Sequence, residues 1–205
     1  IPWGENKIDT VLESTGLFLT REKAEKHILA GAKKVLLSAP AKDADIKTIV
    51  LGINDELITN NDSIYSNASC TTNSAAPLIK VISELCEIKN AYISTVHSYT
   101  SDQRLHDSPH ADLRRARAAA LSIIPTTTGA AKALVKIFPE LKGKIEGSAF
   151  RIPIPNGSIT DLTLIVDGKT PTTEEINTAF KKASENEFKG ILKYTDEPLV
   201  SIDII

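Results

Sequence analysis

One cysteine of this chain is placed where it could act as a nucleophile. Cys70 lies in the polar stretch Ser66–Asn73, and the apolar run Ala75–Leu85 that follows is predicted to be a helix. Free N–H groups and the positive end of the helix dipole stabilise a thiolate there, and a thiolate is the nucleophile that a carbonyl substrate needs. A lone cysteine is more often a small buried hydrophobic residue, but the hydroxyl groups around Cys70 favour the nucleophile.

The base that such a thiol needs could come from one of four histidines. His97 ends the alternating run Tyr92–His97, which has the pattern of a strand, and it opens onto a polar loop. Functional groups are often mounted on loops at the ends of rigid elements, so His97 is predicted to be the base. His27 is predicted to be a solvated residue of a helix. His106 and His110 are predicted to lie in a loop, at the surface or at an interface.

The composition is that of an ordinary soluble globular protein. A length of 205 residues predicts one or two domains, with 41% hydrophobic and 24% charged residues. The net charge of −2 argues against a nucleic-acid or membrane-surface role, and no apolar run is long enough to span a bilayer. Cys70 and Cys86 would lie about 24 Å apart along a helix, too far for a disulfide. Free thiols fit a cytoplasmic location, and no metal site is predicted.

The first third of the chain has the pattern of an α/β fold. Thr20 and Gly31 bracket a predicted helix over Arg21–Ala30. The predicted strands are Asp9–Glu13, Lys34–Ser38, Thr48–Asn54 and Ser63–Ser66. Continuous apolar strands of this kind are typical of a parallel sheet covered on both faces, which binds ligands beyond the carboxyl ends of its strands. Ser14–Gly16 and Ser38–Pro40 fall at such ends, although by themselves they would be ordinary turns.

From Cys70 onward the pattern changes to longer strands with helices on one side of a mixed or antiparallel sheet. Thr172–Asn186 is the clearest helix, because Thr172 and Glu175 form a capping box ahead of an apolar stripe. Pro77 predicts either a kink in the Cys70 helix or a regular part that begins near Pro77. The predicted strands are Ala91–His97, Lys144–Pro153, Ser158–Asp167 and Leu199–Ile205. We therefore predict domains at 1–69 and 70–205, without a flexible linker.

Three motifs in one order resemble the phosphorylating glyceraldehyde-3-phosphate dehydrogenases of bacteria. They are Ser66–Asn73, then His97 placed 27 residues after Cys70, and then Ile124–Lys132. The resemblance extends from Ile1 to Ile205. It implies a partial Rossmann-type dinucleotide-binding domain followed by an incomplete mixed-sheet catalytic domain. The chain would then be an internal fragment of a longer cytoplasmic, homotetrameric enzyme of glycolysis.

The resemblance also implies the reaction and the residues that carry it. The enzyme would oxidise glyceraldehyde 3-phosphate with uptake of inorganic phosphate, through a thiohemiacetal and a thioester on Cys70, with His97 as base. The expected cofactor is NAD. NADP stays open, because Ser108 replaces a leucine common in NAD-preferring relatives. The expected substrate and phosphate contacts are Ser69, Thr71, Thr100, Asp102, Thr128, Gly129 and Arg151. The expected cofactor contacts are Ser14, Thr15, Gly16, Ser38 and Pro109.

The segment Asp112–Leu121 gives two conflicting predictions. Its alanine and arginine content favours a helix, whereas the family has an irregular loop there that is threaded between subunits. We predict the loop, because tertiary and subunit contacts override propensity.

Two other functions stay open from the sequence. One is an erythrose-4-phosphate dehydrogenase of the same family, which shares the cysteine and the histidine. The other belongs to a different class: a truncated, inactive interaction or assembly domain that lacks the dinucleotide turn.

Overall fold

The first sheet is built from four parallel strands, as the continuous apolar segments predict. The structure, a computed structural model, describes residues 1–205. The strands are β1 (Thr10–Glu13), β2 (Lys34–Leu37), β3 (Lys47–Thr48) and β4 (Ile64–Ser66), in the spatial order β1-β2-β4-β3. All of their pairings are parallel. Their carboxyl ends therefore lie at one edge of the sheet.

Helix α1 (Arg21–Leu29) packs on this sheet and begins where the sequence predicts. The Thr20 side chain accepts a hydrogen bond from the Lys23 N–H, which satisfies one of the free donors of the first turn. Gly31, just beyond the helix, has φ +104°, a conformation that glycine adopts readily. The core between helix and sheet consists of Ala24, Val35, Leu37, Ala41, Ile46 and Ile64.

The predicted strand Thr48–Asn54 is wrong for most of its length, because β3 ends at Thr48. The Asn54 side chain accepts a hydrogen bond from the Val50 N–H and donates one to the Thr48 carbonyl, which folds the segment back on itself. Gly52 has φ +77°, and its N–H donates to the Asp55 carboxylate. Asparagine and aspartate side chains that bond nearby backbone groups compete in this way with sheet pairing.

The second sheet is mixed, as predicted. Its strands are β5 (Glu87–Ser98), β6 (Ile124–Thr126), β7 (Ile145–Ile152) and β8 (Ser158–Asp167), in the order β6-β7-β5-β8. β5 pairs in parallel with β7 and antiparallel with β8, and β6 pairs antiparallel with β7. His97 and Arg151 are directly paired across β5 and β7, so that the two side chains lie near the same end of the sheet.

Three helices cover one face of this sheet: α2 (Cys70–Leu85), α3 (Ala130–Ile137) and α4 (Thr173–Glu185). Helix α2 runs from Cys70 through Pro77 without interruption, so the alternative in which regular helix begins near Pro77 is wrong. The capping box of α4 forms as predicted, with Thr172 and Glu175 bonding each other's backbone N–H groups. Ala75, Ala76, Ile79, Ile93 and Leu134 belong to the shared core. No helix is both long and apolar enough to cross a membrane.

The last residues do not form the predicted strand Leu199–Ile205. Ser201–Ile204 is a 3₁₀ turn, because the Asp203 carboxylate accepts a hydrogen bond from the Val200 N–H and the Asp203 N–H donates to the Val200 carbonyl. Aspartate at this position closes a turn rather than extending a strand.

The segment Asp112–Leu121 is irregular, ending in a 3₁₀ turn over Ala119–Leu121, as the resemblance implies and propensity does not. Side chains hold it in this shape. Arg115 pairs with Asp102 and donates to the Thr126 hydroxyl, while the Asp107 carboxylate accepts from the Ala118 N–H. These contacts tie the segment to the residues around it, and the Ala118 N–H bonds to Asp107 instead of to a carbonyl one helical turn earlier.

Candidate active site

The thiol and the imidazole that the sequence places 27 residues apart meet in the structure. The Cys70 Sγ lies 3.2 Å from the His97 Nε2, within hydrogen-bond distance for sulfur. Cys70 is exposed, whereas His97 is half-buried at the end of β5. A thiol that faces solvent and contacts an imidazole is placed to lose its proton to that ring.

Helix α2 sets the environment of the sulfur. Ser69 is its N-cap, and the Ser69 hydroxyl accepts a hydrogen bond from the Thr72 N–H at 3.1 Å. Because Cys70 is the first helical residue, the N–H groups of Cys70 and Thr71 have no acceptor within the helix. They are donors for negative charge that develops beside the sulfur.

The residue two positions before Cys70 has an unusual backbone. Ala68 has φ +57°, in the left-handed region that non-glycine residues seldom occupy. The Ala68 N–H donates to the Ser66 hydroxyl at 3.1 Å, and this bond holds the turn in place. Strained backbone of this kind concentrates at functional sites. Here it lies in the short turn that connects the end of β4 to Cys70 at the start of α2. No residue pattern predicts this conformation, since alanine seldom adopts it.

Arg151 and the Ser98 carbonyl fix the imidazole from its other side. The His97 Nδ1 lies 2.8 Å from the Ser98 carbonyl oxygen and 2.6 Å from the Arg151 Nη1, which itself donates to that oxygen at 2.9 Å. A protonated Nδ1 donates to the carbonyl, and an unprotonated Nδ1 accepts from the guanidinium. These contacts all lie on the Nδ1 side of the ring and leave the Nε2 directed at the sulfur.

Arg151 also retains unused donors. Burial lowers the pKa of Arg151 below its ordinary value, while Cys70 and Asp102 act in the opposite direction. The group still carries its charge, since a guanidinium remains protonated in proteins. The Arg151 Nη2 makes no hydrogen bond within the chain, and the buried Nε has none either. The cation next to the thiol–imidazole pair is thus available to an anionic substrate.

Two of the predicted substrate residues, Thr100 and Asp102, are connected to each other by hydrogen bonds through a third side chain. Gln103, which is not among the predicted site residues, joins Thr100 to Asp102. Its Oε1 accepts from the Thr100 N–H at 2.9 Å, and its Nε2 donates to the Asp102 carboxylate at 3.2 Å. Asp102 also pairs with Arg115 and lies 3.7 Å from the His110 Nε2. Glutamine at position 103 carries no motif that could have revealed this role.

The residues expected to bind the attacking phosphate are largely engaged in helix caps. The Thr128 hydroxyl accepts a hydrogen bond from the Ala130 N–H at 3.1 Å, and Gly129 is the exposed N-cap of α3. Thr71 is only 6% exposed, so its side chain is poorly placed to reach a ligand without rearrangement. No hydrogen bond connects Thr71, Thr128 or Gly129 to Cys70 or His97.

The predicted cofactor residues gather at the carboxyl edge of the first sheet, with one exception. Ser14, Thr15 and Gly16 follow β1, and the N–H and hydroxyl of Ser38, after β2, both bond to the Glu13 carbonyl. All four are exposed at the edge where parallel sheets bind ligands. Such an edge fits a dinucleotide. Pro109 lies apart, in the loop after β5, where its carbonyl accepts from Arg104.

His27 is not the solvated residue that the sequence predicts. Its side chain is 14% exposed and lies 3.1 Å from the Glu13 carboxylate and 3.1 Å from the Trp3 indole nitrogen. The lysines around it in sequence face solvent, whereas His27 occupies the inner face of α1. Burial raises the pKa of the Glu13 carboxyl, but hydrogen bonds from Thr15 and His27 outweigh this effect and the pKa is lowered.

The fold and the site define an α/β protein in which a cysteine at a helix N-terminus contacts a histidine at the end of a strand. Residues 69–205 match the model of the glyceraldehyde 3-phosphate dehydrogenase C-terminal domain, and the chain belongs to this family.

The chain is also similar over its whole length to bacterial proteins named glyceraldehyde-3-phosphate dehydrogenase. It is 56% identical to those of Mycobacterium tuberculosis (strain ATCC 25618 / H37Rv) and Mycolicibacterium smegmatis, over 205 residues. It is 56% identical over 206 residues to glyceraldehyde-3-phosphate dehydrogenase 2 of Streptomyces avermitilis. The chain spans 60% of the length of the first two relatives and 61% of the third.

Proposed function

We propose that the protein to which this chain belongs oxidises glyceraldehyde 3-phosphate to 1,3-bisphosphoglycerate, as a cytoplasmic, homotetrameric enzyme of glycolysis. The observation that carries the proposal is the 3.2 Å contact between the Cys70 Sγ and the His97 Nε2. The names and the identity of the relatives supply the substrate.

In the proposed mechanism, the Cys70 thiol gives its proton to the His97 Nε2, the thiolate adds to the aldehyde carbon, and the proton passes from His97 to the carbonyl oxygen to give a thiohemiacetal. The N–H of Cys70 lies at the helix start, where it stabilises charge on the former carbonyl oxygen. His97 then removes the hydroxyl proton through its Nε2 as the hydride leaves the same carbon, and a thioester on Cys70 remains. Ser14, Gly16 and Ser38 would hold NAD at the sheet edge, and the bound cofactor would supply the hydride acceptor. NADP is the alternative cofactor.

The second half of the reaction releases the product. Inorganic phosphate attacks the thioester carbon, the carbon–sulfur bond breaks, and the thiolate of Cys70 is restored as the acyl phosphate leaves. The unused Arg151 donors suit the phosphate group of the substrate. Ser69, Thr71, Thr128 and Gly129 are proposed for the attacking phosphate, for which the rearrangement of Thr71 would be needed.

The test uses the full-length protein, with and without inorganic phosphate. Phosphate-dependent reduction of NAD with glyceraldehyde 3-phosphate supports the proposal, and Cys70→Ser should abolish both turnover and the initial burst of NADH. A burst of normal size from that variant would refute Cys70 as the nucleophile. Cys86→Ser is the matched control, because Cys86 lies at the other end of α2 and burial raises the pKa of its thiol.

The same assay separates the alternatives. Faster oxidation of erythrose 4-phosphate without dependence on inorganic phosphate would favour the erythrose-4-phosphate dehydrogenase. Lack of activity in the full-length protein, with both aldehydes and both cofactors, would favour an interaction or assembly domain.

A further inference from the structure

A buried carboxylate lies directly behind the turn that is expected to meet the cofactor. Glu13 is the last residue of β1 and only 3% exposed. One of its oxygens accepts hydrogen bonds from both the N–H and the hydroxyl of Thr15, and the other lies 3.1 Å from the His27 Nε2. A charged group of this kind is retained in a protein interior only when its hydrogen bonds are satisfied.

The direction of each hydrogen bond in this cluster follows from the chemistry of Trp3. An indole N–H can only donate, and it lies 3.1 Å from the His27 Nδ1. The Nδ1 is therefore the acceptor, which leaves the ring proton on the Nε2, facing the Glu13 carboxylate. The Phe18 ring, with its centroid 4.8 Å from that of His27, covers the imidazole. Trp3 thus donates to His27, His27 donates to Glu13, and the Glu13 carboxylate also accepts from Thr15, so that both sides of the cluster converge on this carboxylate.

The cluster determines which parts of the turn are free. The Thr15 hydroxyl donates to Glu13 and accepts from the Leu17 N–H at 3.2 Å, so it has little capacity left for a ligand. Gly16 has φ +75°, and a Cβ added there would meet no atom within 4 Å. The turn is therefore held from its inner side by Glu13, and Ser14 and Gly16 are left open on its outer side.

Glu13 also links the two segments of the cofactor edge. Its carbonyl oxygen accepts hydrogen bonds from the N–H and the hydroxyl of Ser38, at 3.0 and 3.2 Å. Its side chain holds the turn after β1, while its main chain holds the residue after β2. Displacement of Glu13 would move both segments together.

We propose that Glu13, oriented by His27 and Trp3, is a positioning residue that fixes the turn Ser14–Gly16 for the dinucleotide. Glu13 holds the turn through its hydrogen bonds with Thr15, and Ser14 and Gly16 are the residues of the turn that face the ligand. The inference rests on the proposed function for the identity of the ligand.

The test compares Glu13→Gln, His27→Leu and His27→Gln in the full-length protein, by NAD binding and steady-state kinetics. The amide of Glu13→Gln places N–H groups against the His27 Nε2–H, and His27→Leu removes the donor to Glu13. Both should raise the Kd and the KM for NAD roughly tenfold, since one hydrogen bond to a charged group is lost. The kcat at saturating NAD should change much less. His27→Gln places an amide near the position of the Nε2 and should restore most of the affinity.

Two further readouts report on the turn itself. Hydrogen exchange at the Thr15 amide should become faster in Glu13→Gln and His27→Leu. The fluorescence contributed by Trp3, measured as the difference from the matching Trp3→Phe variants, should change in both His27 variants, because its hydrogen-bond acceptor is altered. Glu22→Gln is the control: it removes the same charge from an exposed position of α1 and should change none of these quantities.

The outcomes separate this inference from the proposed function. An unchanged Kd for NAD in Glu13→Gln, with faster exchange at Thr15, would overturn the positioning role and leave the proposed function standing. NAD binding that weakens as expected, in a protein that oxidises neither aldehyde, would support the positioning role and overturn the proposed function. If Glu13→Gln does not fold, the pair His27→Leu and His27→Gln decides by the same measurements.

Discussion

Gly147 offers a way to disturb the site from a distance. It lies on β7, paired with Ile93 on β5, and four residues further along the two strands are Arg151 and His97. A Cβ added to Gly147 would lie 2.7 Å from the Ile93 carbonyl oxygen and 3.3 Å from the Ile93 Cβ. Real Cβ atoms essentially never approach other atoms closer than 3.0 Å. Gly147→Ala must therefore move the two strands apart by at least a few tenths of an ångström.

The cost of this movement can be bounded. Overpacking of a well-ordered interior costs about 1–3 kcal/mol, so Gly147→Ala should lower the free energy of unfolding by that amount. The same movement should lengthen the contacts among Cys70, His97 and Arg151, because β5 and β7 carry the last two. A 1 Å misplacement of catalytic groups costs on the order of 100-fold, and we expect a tenfold or smaller loss of kcat from the smaller shift.

The measurement is urea unfolding together with NADH formation at saturating substrates. Gly4→Ala is the control, because a Cβ there would meet its nearest atom at an ordinary 3.4 Å. Wild-type stability in Gly147→Ala would refute the packing argument. Lost stability with unchanged kcat would show that β5 and β7 do not transmit the displacement to the site.

Two other expectations follow from single side chains. In Glu175, hydrogen bonds from Lys169 and from the Thr172 N–H lower the carboxyl pKa from 4.5 to about 2. Because the pKa is lower in the folded state, the ionised carboxylate stabilises the folded protein above pH 4.5, and this stabilisation is lost as the pH falls toward 2. The free energy of unfolding of Glu175→Gln should lack this pH dependence. A plot of that free energy against pH that runs parallel to the wild-type plot would contradict the prediction. Lys34 donates to the carbonyls of Thr59, Asn60 and Asp62. Lys34→Met should speed amide exchange in residues 59–62, whereas unchanged exchange would contradict that anchoring role.

Local signals in the sequence predicted the elements whose geometry depends on near neighbours. The Thr172–Glu175 capping box needs only residues three apart, and it forms as expected. The start of α2 at Cys70 likewise follows from the polar stretch that precedes the apolar run. The segment after β3 was mispredicted because the side chain of Asn54, four residues after Val50, competes with the backbone for hydrogen bonds that apolar composition alone would assign to a strand.

Such local signals could not predict contacts between residues that are far apart in the sequence. Periodicity places His97 at the end of a strand, and that position already made it the predicted base; the distance from its ring to the Cys70 sulfur could not be obtained from periodicity. The partners of His27 lie 14 and 24 residues away in sequence, and the lysines beside it suggested solvent. Buried polar clusters of this kind depend on which face of a helix meets a sheet, and single residues such as Gln103 and Glu13 carry no pattern that reveals it.

The junction between the two sheets bears on how the proposed hydride transfer could work. The Asn67 N–H donates to the Leu37 carbonyl at 2.9 Å, and the Ser66 hydroxyl donates to the Ala39 carbonyl at 2.8 Å, so the chain is bonded to the carboxyl edge of the first sheet just before it enters α2. Only Ala68 and Ser69 separate this bonded segment from Cys70. Hydride transfer requires reacting atoms about 3–3.5 Å apart. A short, hydrogen-bonded connection from the proposed cofactor edge to Cys70 meets that requirement better than a flexible linker, because it leaves few backbone torsions along which the two could separate.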